Sequence, residues 1–118
     1  GFDDALYASL RLLEVLTADA RPLSQHFDGV PEMFATPEIR VDCADEKKFE
    51  VVARVTERFK KTNRVIDIDG ARVLFDDGWG LVRASNTGPI LVLRFEAKSE
   101  AALAQIRATV ERAVAEAQ

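Results

Sequence analysis

The chain has 118 residues, 47% hydrophobic and 31% charged, with 16 basic side chains against 20 acidic ones and a formal net charge of −4. That length holds one hydrophobic core plus an appendage; the single Cys43 and single His26 exclude an intramolecular disulfide and an all-protein Cys/His zinc module; and the acidic balance argues against capture by nucleic acid or an anionic membrane. The apolar run Ile90 to Leu93 falls far short of the ~20 residues that span a bilayer, and Phe2-Asp3-Asp4 stands where a secretory signal would carry positive charge, so the expected compartment is the cytoplasm.

Asp3 or Asp4 caps an expected helix from about Asp4 to Thr17, with Leu6, Leu10, Leu13 and Val15 or Leu16 on one face. The stretch Ala18 to Pro37, with Pro22, Gly29, Pro31 and Pro37, reads as a linker. The leucine stripe therefore has two possible explanations: the helix folds back on the downstream domain, or it belongs to a neighbouring domain. The expected division is 1–36, terminal helix and hinge, and 37–118, a compact domain.

Glu38 to Cys43 alternates as a half-buried strand with Ile39, Val41 and Cys43 facing the core. Asp45 caps an amphipathic helix of roughly 14 residues whose apolar face is read as Phe49, Val52, Val55 or Thr56, and Phe59, with Lys47 and Lys48 among its solvated residues. Three strands follow, Val65 to Asp67, Ala71 to Phe75 and Trp79 to Ala84, punctuated by the hairpin dipeptides Asp69-Gly70 and Asp77-Gly78. Ile90 to Glu96 is a central strand with Leu91, Leu93 and Phe95 on one face and Ile90, Val92 and Arg94 on the other. Ser99 caps a last helix with the stripe Leu103, Ile106, Val110 and Val114. The order β-α-β-β-β-β-α predicts an α+β two-layer sandwich: a mostly antiparallel sheet of four or five strands, two amphipathic helices on one face, and the other face open to a partner.

Chemistry concentrates in the loop Arg83-Ala84-Ser85-Asn86-Thr87-Gly88-Pro89. A guanidinium fork, two hydroxyls, an amide and a glycine suit a phosphate; the same composition also suits a polar turn that binds nothing. Other residues admit a functional and a plainer reading. Asp67, Asp69, Asp76 and Asp77 read as a metal cluster or as turn residues. His26 reads as a general base or as a solvated linker residue. Trp79 reads as a sugar-stacking ring or as a packing residue. Lys47, Lys48, Lys60, Lys61 and Arg64 read as a basic patch or as a solvated helix face, and Cys43 as an inert buried thiol. In each case the plainer reading is preferred.

The run Asp77-Gly78-Trp79-Gly80-Leu81-Val82-Arg83-Ala84-Ser85-Asn86-Thr87-Gly88-Pro89-Ile90-Leu91-Val92-Leu93-Arg94-Phe95-Glu96 closely resembles the carboxy-terminal domain of the bacterial phosphomannomutase/phosphoglucomutase family, within the α-D-phosphohexomutase superfamily. Asp3-Asp4-Ala5-Leu6-Tyr7-Ala8 and Leu12-Leu13-Glu14 resemble the last helix of that family's third domain. The resemblance implies an enzyme that interconverts mannose or glucose 1-phosphate and 6-phosphate through a phosphoserine and a bisphosphorylated sugar. It implies that Arg83, Ser85, Asn86 and Thr87, with Gly88 beside them, grip the phosphate that is not reacting. It also implies that the phosphoserine, its magnesium and the sugar-reading loop belong to other domains, leaving no catalytic residue, metal or cofactor here. The implied partners are a phosphosugar and the other domains of the same enzyme, with Pro31 to Pro37 as the hinge. Relatives usually carry a larger side chain where this chain has Gly88. Ser85-Asn86-Thr87, where amino-sugar branches read Ser-Gly-Thr, points to the mannose/glucose branch. The alternative of a different class is a non-catalytic α+β interaction module that uses its open sheet face.

Overall fold

The computed structural model describes residues 3–118 and divides into two compact units, one ending at Pro31 and the other running from Glu32 to Gln118. In the first, α1 (Ala5–Ala18) starts where the Asp4 carboxylate accepts the Tyr7 amide at 2.9 Å. Its apolar side chains are exposed, Leu6 by 73%, Leu10 by 57% and Leu13 by 56%. A 3₁₀ turn, Leu23–Phe27, follows inside the stretch read as linker.

The second unit contains β1 (Phe34–Ala35), β2 (Ile39–Asp42), α2 (Lys48–Lys60), β3 (Val65–Ile66), β4 (Ala71–Phe75), β5 (Gly78–Ala84), β6 (Ile90–Ala97) and α3 (Glu100–Ala117). All pairings are antiparallel, in the order β1-β6-β5-β4-β3, with β2 also paired to β6. The α+β two-layer architecture stands, with six strands instead of four or five. The added strand is β1, two residues within the stretch expected to be linker. β1 and β2 run along one edge of β6, Phe34 opposite Ala97 and Ile39 opposite Leu93. Between them Thr36 keeps the ladder closed: its amide donates to the Phe95 carbonyl at 3.0 Å, and its hydroxyl accepts the Phe95 amide at 3.3 Å. Two residues carry no legible period, which is why composition alone reads this edge as linker.

Alternation along β6 places Leu91, Leu93, Phe95 and Ala97 under the helices, where they meet Val51, Val55 and Phe59 of α2 and Ile106, Val110 and Val114 of α3. Arg94 lies on the opposite, uncovered face. α3 begins as its sequence predicts, the Ser99 hydroxyl accepting the Ala102 amide. α2 differs in two respects. Lys47 occupies the N-cap position without a side-chain bond, and Asp45 pairs instead with Lys48. The buried face is Lys48, Val51, Val55, Thr56 and Phe59, with Val52 partly buried and Phe49 61% exposed; the expected stripe holds at Val55, Thr56 and Phe59 and fails in the first turn, where Lys48 takes the place expected of Phe49.

Of the two hairpin glycines, Gly70 bears out the turn reading and Gly78 corrects it. Gly70 has φ +85°, and a Cβ there would lie 2.4 Å from the Val82 carbonyl oxygen, so a turn glycine is required. Gly78 is a strand residue paired with Phe75 and Ala97, and the β4–β5 turn is Asp76-Asp77. Its missing side chain serves close approach, because a Cβ would sit 2.2 Å from the Glu96 carbonyl oxygen.

Candidate phosphate-binding site

β5 delivers Arg83 to the uncovered face, Ala84 to the core and Ser85, 7% exposed, to the start of the β5–β6 loop. Three internal bonds shape that loop. The Ser85 amide donates to the Ile90 carbonyl at 3.0 Å, the Ile90 amide to the Gly88 carbonyl at 2.9 Å, and the Thr87 amide to the Ser85 hydroxyl oxygen at 3.2 Å. The two hydroxyl oxygens lie 3.4 Å apart. The Cys43 amide donates to the Pro89 carbonyl at 2.9 Å and ties the loop to the chain leaving β2; Cys43 itself is buried, as its alternation predicts.

Arg83, Ser85, Thr87 and Gly88 line one cleft of about 440 Å³, together with Ile90, Val92 and the β2 side residues Glu38 and Arg40. Asn86 is exposed at the loop tip. Arg83 lies 3.3 Å from the Asp69 carboxylate, an exposed pair that an incoming anion can replace at little cost. Among the described residues only Gly29 and Gly70 have positive φ, so neither Asn86 nor Gly88 is present for unusual backbone angles. A Cβ on Gly88 would enter open space, so the fold leaves room for a larger side chain there.

Two cations beside this loop were not assigned to it from the sequence. Arg40 flanks Val92 in register on one side while Arg83 flanks it on the other, which leaves Val92 only 7% exposed on the face opposite α2 and α3. Glu38 holds Arg40 at 3.0 Å and Arg94 at 3.1 Å; the Arg94 guanidinium first and Arg40 second hold its carboxyl below the usual glutamate range. Lys48, read as solvated, is 4% exposed, and its ammonium donates to the Gly88 carbonyl at 3.3 Å. The available signal was its spacing from Val51, Val55 and Phe59 on one helical face.

The remaining candidates lie elsewhere. Asp67 pairs with Lys60 at 2.9 Å, which lowers its carboxyl below the ordinary value. Among the described residues no three His, Cys, Asp or Glu side chains gather into one cluster. Trp79 lies on the uncovered sheet face with the Arg72 guanidinium 4.2 Å from its ring centre. His26, expected to be solvated, is half-buried in the 3₁₀ turn with Nε2 enclosed.

A model of the family described as phosphoglucomutase/phosphomannomutase, C-terminal domain, matches residues 38–113. The chain is 45% identical over 108 residues to a phosphomannomutase/phosphoglucomutase of Pseudomonas putida, matching 91% of this chain and 23% of that protein. It is 47% identical over 111 residues to a phosphoglucomutase of Neisseria gonorrhoeae, again over 91% of this chain and 24% of the relative. A crystal structure of a phosphoglucomutase/phosphomannomutase family protein from Burkholderia thailandensis superposes with a TM-score of 0.77 at 42% identity, covering 99% of this chain and 24% of that one. The chain thus spans about a quarter of the length of the relatives it matches.

Proposed function

The chain belongs to the phosphoglucomutase/phosphomannomutase family as its C-terminal domain, and from that premise we propose that it holds the non-reacting phosphate of a phosphohexose while other domains transfer the second phosphoryl group. The observation that carries this reading is the convergence of Arg83, Ser85 and Thr87 on one cleft in the face the helices leave bare. A phosphate dianion there takes two N–H donors from the planar guanidinium and one O–H from each hydroxyl, with Asn86 able to add an amide from the loop tip. Arg40, across Val92, supplies a second positive charge.

The work of such a clamp is orientation. A sugar phosphorylated at both ends has to turn over between two phosphoryl transfers, and a site gripping whichever phosphate is idle keeps the intermediate from escaping while its other end is presented for reaction. The mannose/glucose pair is the proposed substrate class, and the phosphoserine and magnesium chemistry is assigned to the rest of the enzyme. Of the expected hinge Pro31 to Pro37, Phe34 to Thr36 are bonded to β6, so we assign the hinge on which the cleft closes over the sugar to the residues ahead of β1, Pro31 to Met33. A cytoplasmic setting follows from a phosphosugar substrate.

Titration of the ¹⁵N-labelled chain with glucose 1-phosphate and glucose 1,6-bisphosphate tests the clamp. Amide shifts at residues 83–88 are expected, absent with plain glucose. Arg83→Ala removes a charge-assisted fork worth roughly 1.5–3 kcal/mol, so affinity falls at least about tenfold with the melting temperature nearly unchanged. Shifts that survive Arg83→Ala undiminished contradict the assignment. Silence at the loop together with protein binding on the uncovered face would favour an interaction module.

A further inference from the structure

Lys48 occupies a position that stability alone does not explain. It is the first residue of α2, where the helix dipole presents its positive end and disfavours a cation. Its side chain is also 5% exposed, so the ammonium has given up most of its water. An apolar residue of similar length would fill the same slot beside Val51 without either cost. The ammonium is satisfied by three groups: the Asp45 carboxylate at 2.5 Å, the Gly88 carbonyl at 3.3 Å and the face of Phe49, 5.3 Å from the ring centre. Asp45 is three residues away and 70% exposed, Phe49 is adjacent, and Gly88 lies across the fold, 40 residues along the chain.

We propose that Lys48 is a positioning residue of the phosphate clamp, pinning the Gly88 carbonyl from the helix side so that the loop is set before the ligand arrives. This rests on the clamp reading above. The Gly88 carbonyl already accepts the Ile90 amide, and Lys48 takes a second place on the same oxygen. That double anchor fixes the carboxy-terminal end of the loop, while the Ser85–Thr87 bonds fix its start. Preorganisation of this kind lowers the ordering cost of binding. The ammonium also stands directly behind the Gly88 wall of the cleft, where burial weakens screening and its charge favours an anion on the far side. Asp45 acts as the counter-charge that makes the buried cation tolerable when the cleft is empty.

Lys48→Met and Asp45→Asn separate this role from a merely structural ion pair. In the glucose 1-phosphate titration, Lys48→Met is expected to raise Kd at least fivefold with a melting temperature equal to or above that of the wild type. Asp45→Asn, which leaves the ammonium in place and removes its counter-charge, is expected to lower the melting temperature and to lower Kd, because the freed charge favours the anion. A structural pair predicts a different pattern: Lys48→Met also loses stability, and neither variant moves Kd. Should Lys48→Met fail to fold, the wild-type protein still decides, because the ¹³Cε resonance of Lys48 has to shift on saturation with glucose 1-phosphate; a stationary resonance overturns the proposal. Normal binding by Lys48→Met, with the expected loss in Arg83→Ala, overturns the role of Lys48 alone. Absence of any wild-type binding overturns the clamp and the role of Lys48 together.

Discussion

Gly78 and Gly88 are the same residue type under opposite constraints. Gly78 has the Glu96 carbonyl oxygen and Ala97 where its side chain would be, and Gly88 has open space. Gly78→Ala forces the β5–β6 backbones apart and is expected to cost about 2 kcal/mol, within the range for overpacking. Gly88→Thr, at negative φ with room around it, is expected to stay within about 0.5 kcal/mol of wild type. Urea unfolding of the two variants checks the pair; equal losses would contradict this account of both glycines. Lys48 and Phe49 make a similar contrast, since hydropathy assigns the phenylalanine to the core and the lysine to water, while the fold does the reverse. A flexible four-carbon stem can line an apolar slot while its ammonium reaches a carboxylate and a carbonyl, and hydropathy does not record that ability.

Along the edge of β6, the pairing with β1 and β2 is completed by side chains. Thr36 supplies a hydroxyl where the ladder breaks, and Glu38 joins Arg40 on β2 to Arg94 on β6. The two guanidinia favour the ionised carboxylate and hold the Glu38 carboxyl below its ordinary value of 4.5. Its contribution to stability is therefore complete above that value and is lost as the pH falls through the lowered native value. Melting curves of wild type and Glu38→Gln are expected to differ by a constant amount near neutrality and to converge on acidification. A gap that persists in strong acid would show that Glu38 acts by packing and not by charge. Glu38 and Arg40 also line the cleft proposed to hold phosphate, so acidification and edge loosening reach it through the same residues.

The two compact units have different means of support. Glu32–Gln118 has a core closed by α2 and α3 over β4, β5 and β6, with Val55, Val73, Val82, Leu91 and Val110 fully enclosed. In the first unit the 14 residues of α1 keep Leu6, Leu10, Leu12 and Leu13 exposed, and a helix of that length is marginal in water without tertiary burial. Hydrogen exchange of this chain is expected to show α1 amides exchanging orders of magnitude faster than those of β6, whose opening follows global unfolding. Protection of residues 5–18 equal to that of β6 would overturn this expectation. In the longer relatives the apolar stripe has further chain available to cover it.

The helices α1 and α3, the strands β4, β5 and β6, the α+β class and the loop with Arg83, Ser85 and Thr87 were legible in order of sequence, because each has a period or motif within its own residues. Ser99 capping α3 and Leu91, Leu93 and Phe95 alternating into the core are local facts of that kind. Tertiary structure decided the rest. β1 is too short to show a period and exists because β6 offers it an unpaired edge. The phase of α2 was set by packing against the sheet, which buried Lys48 and exposed Phe49. The antiparallel register of β2 with β6 brings Arg40 to the cleft beside the β5–β6 loop, and the start of α2 brings Lys48 to the Gly88 carbonyl. Periodicity and turn chemistry act over a few residues, whereas residues 40, 48 and 88 meet only when the β2–β6 pairing and the helix layer are both in place.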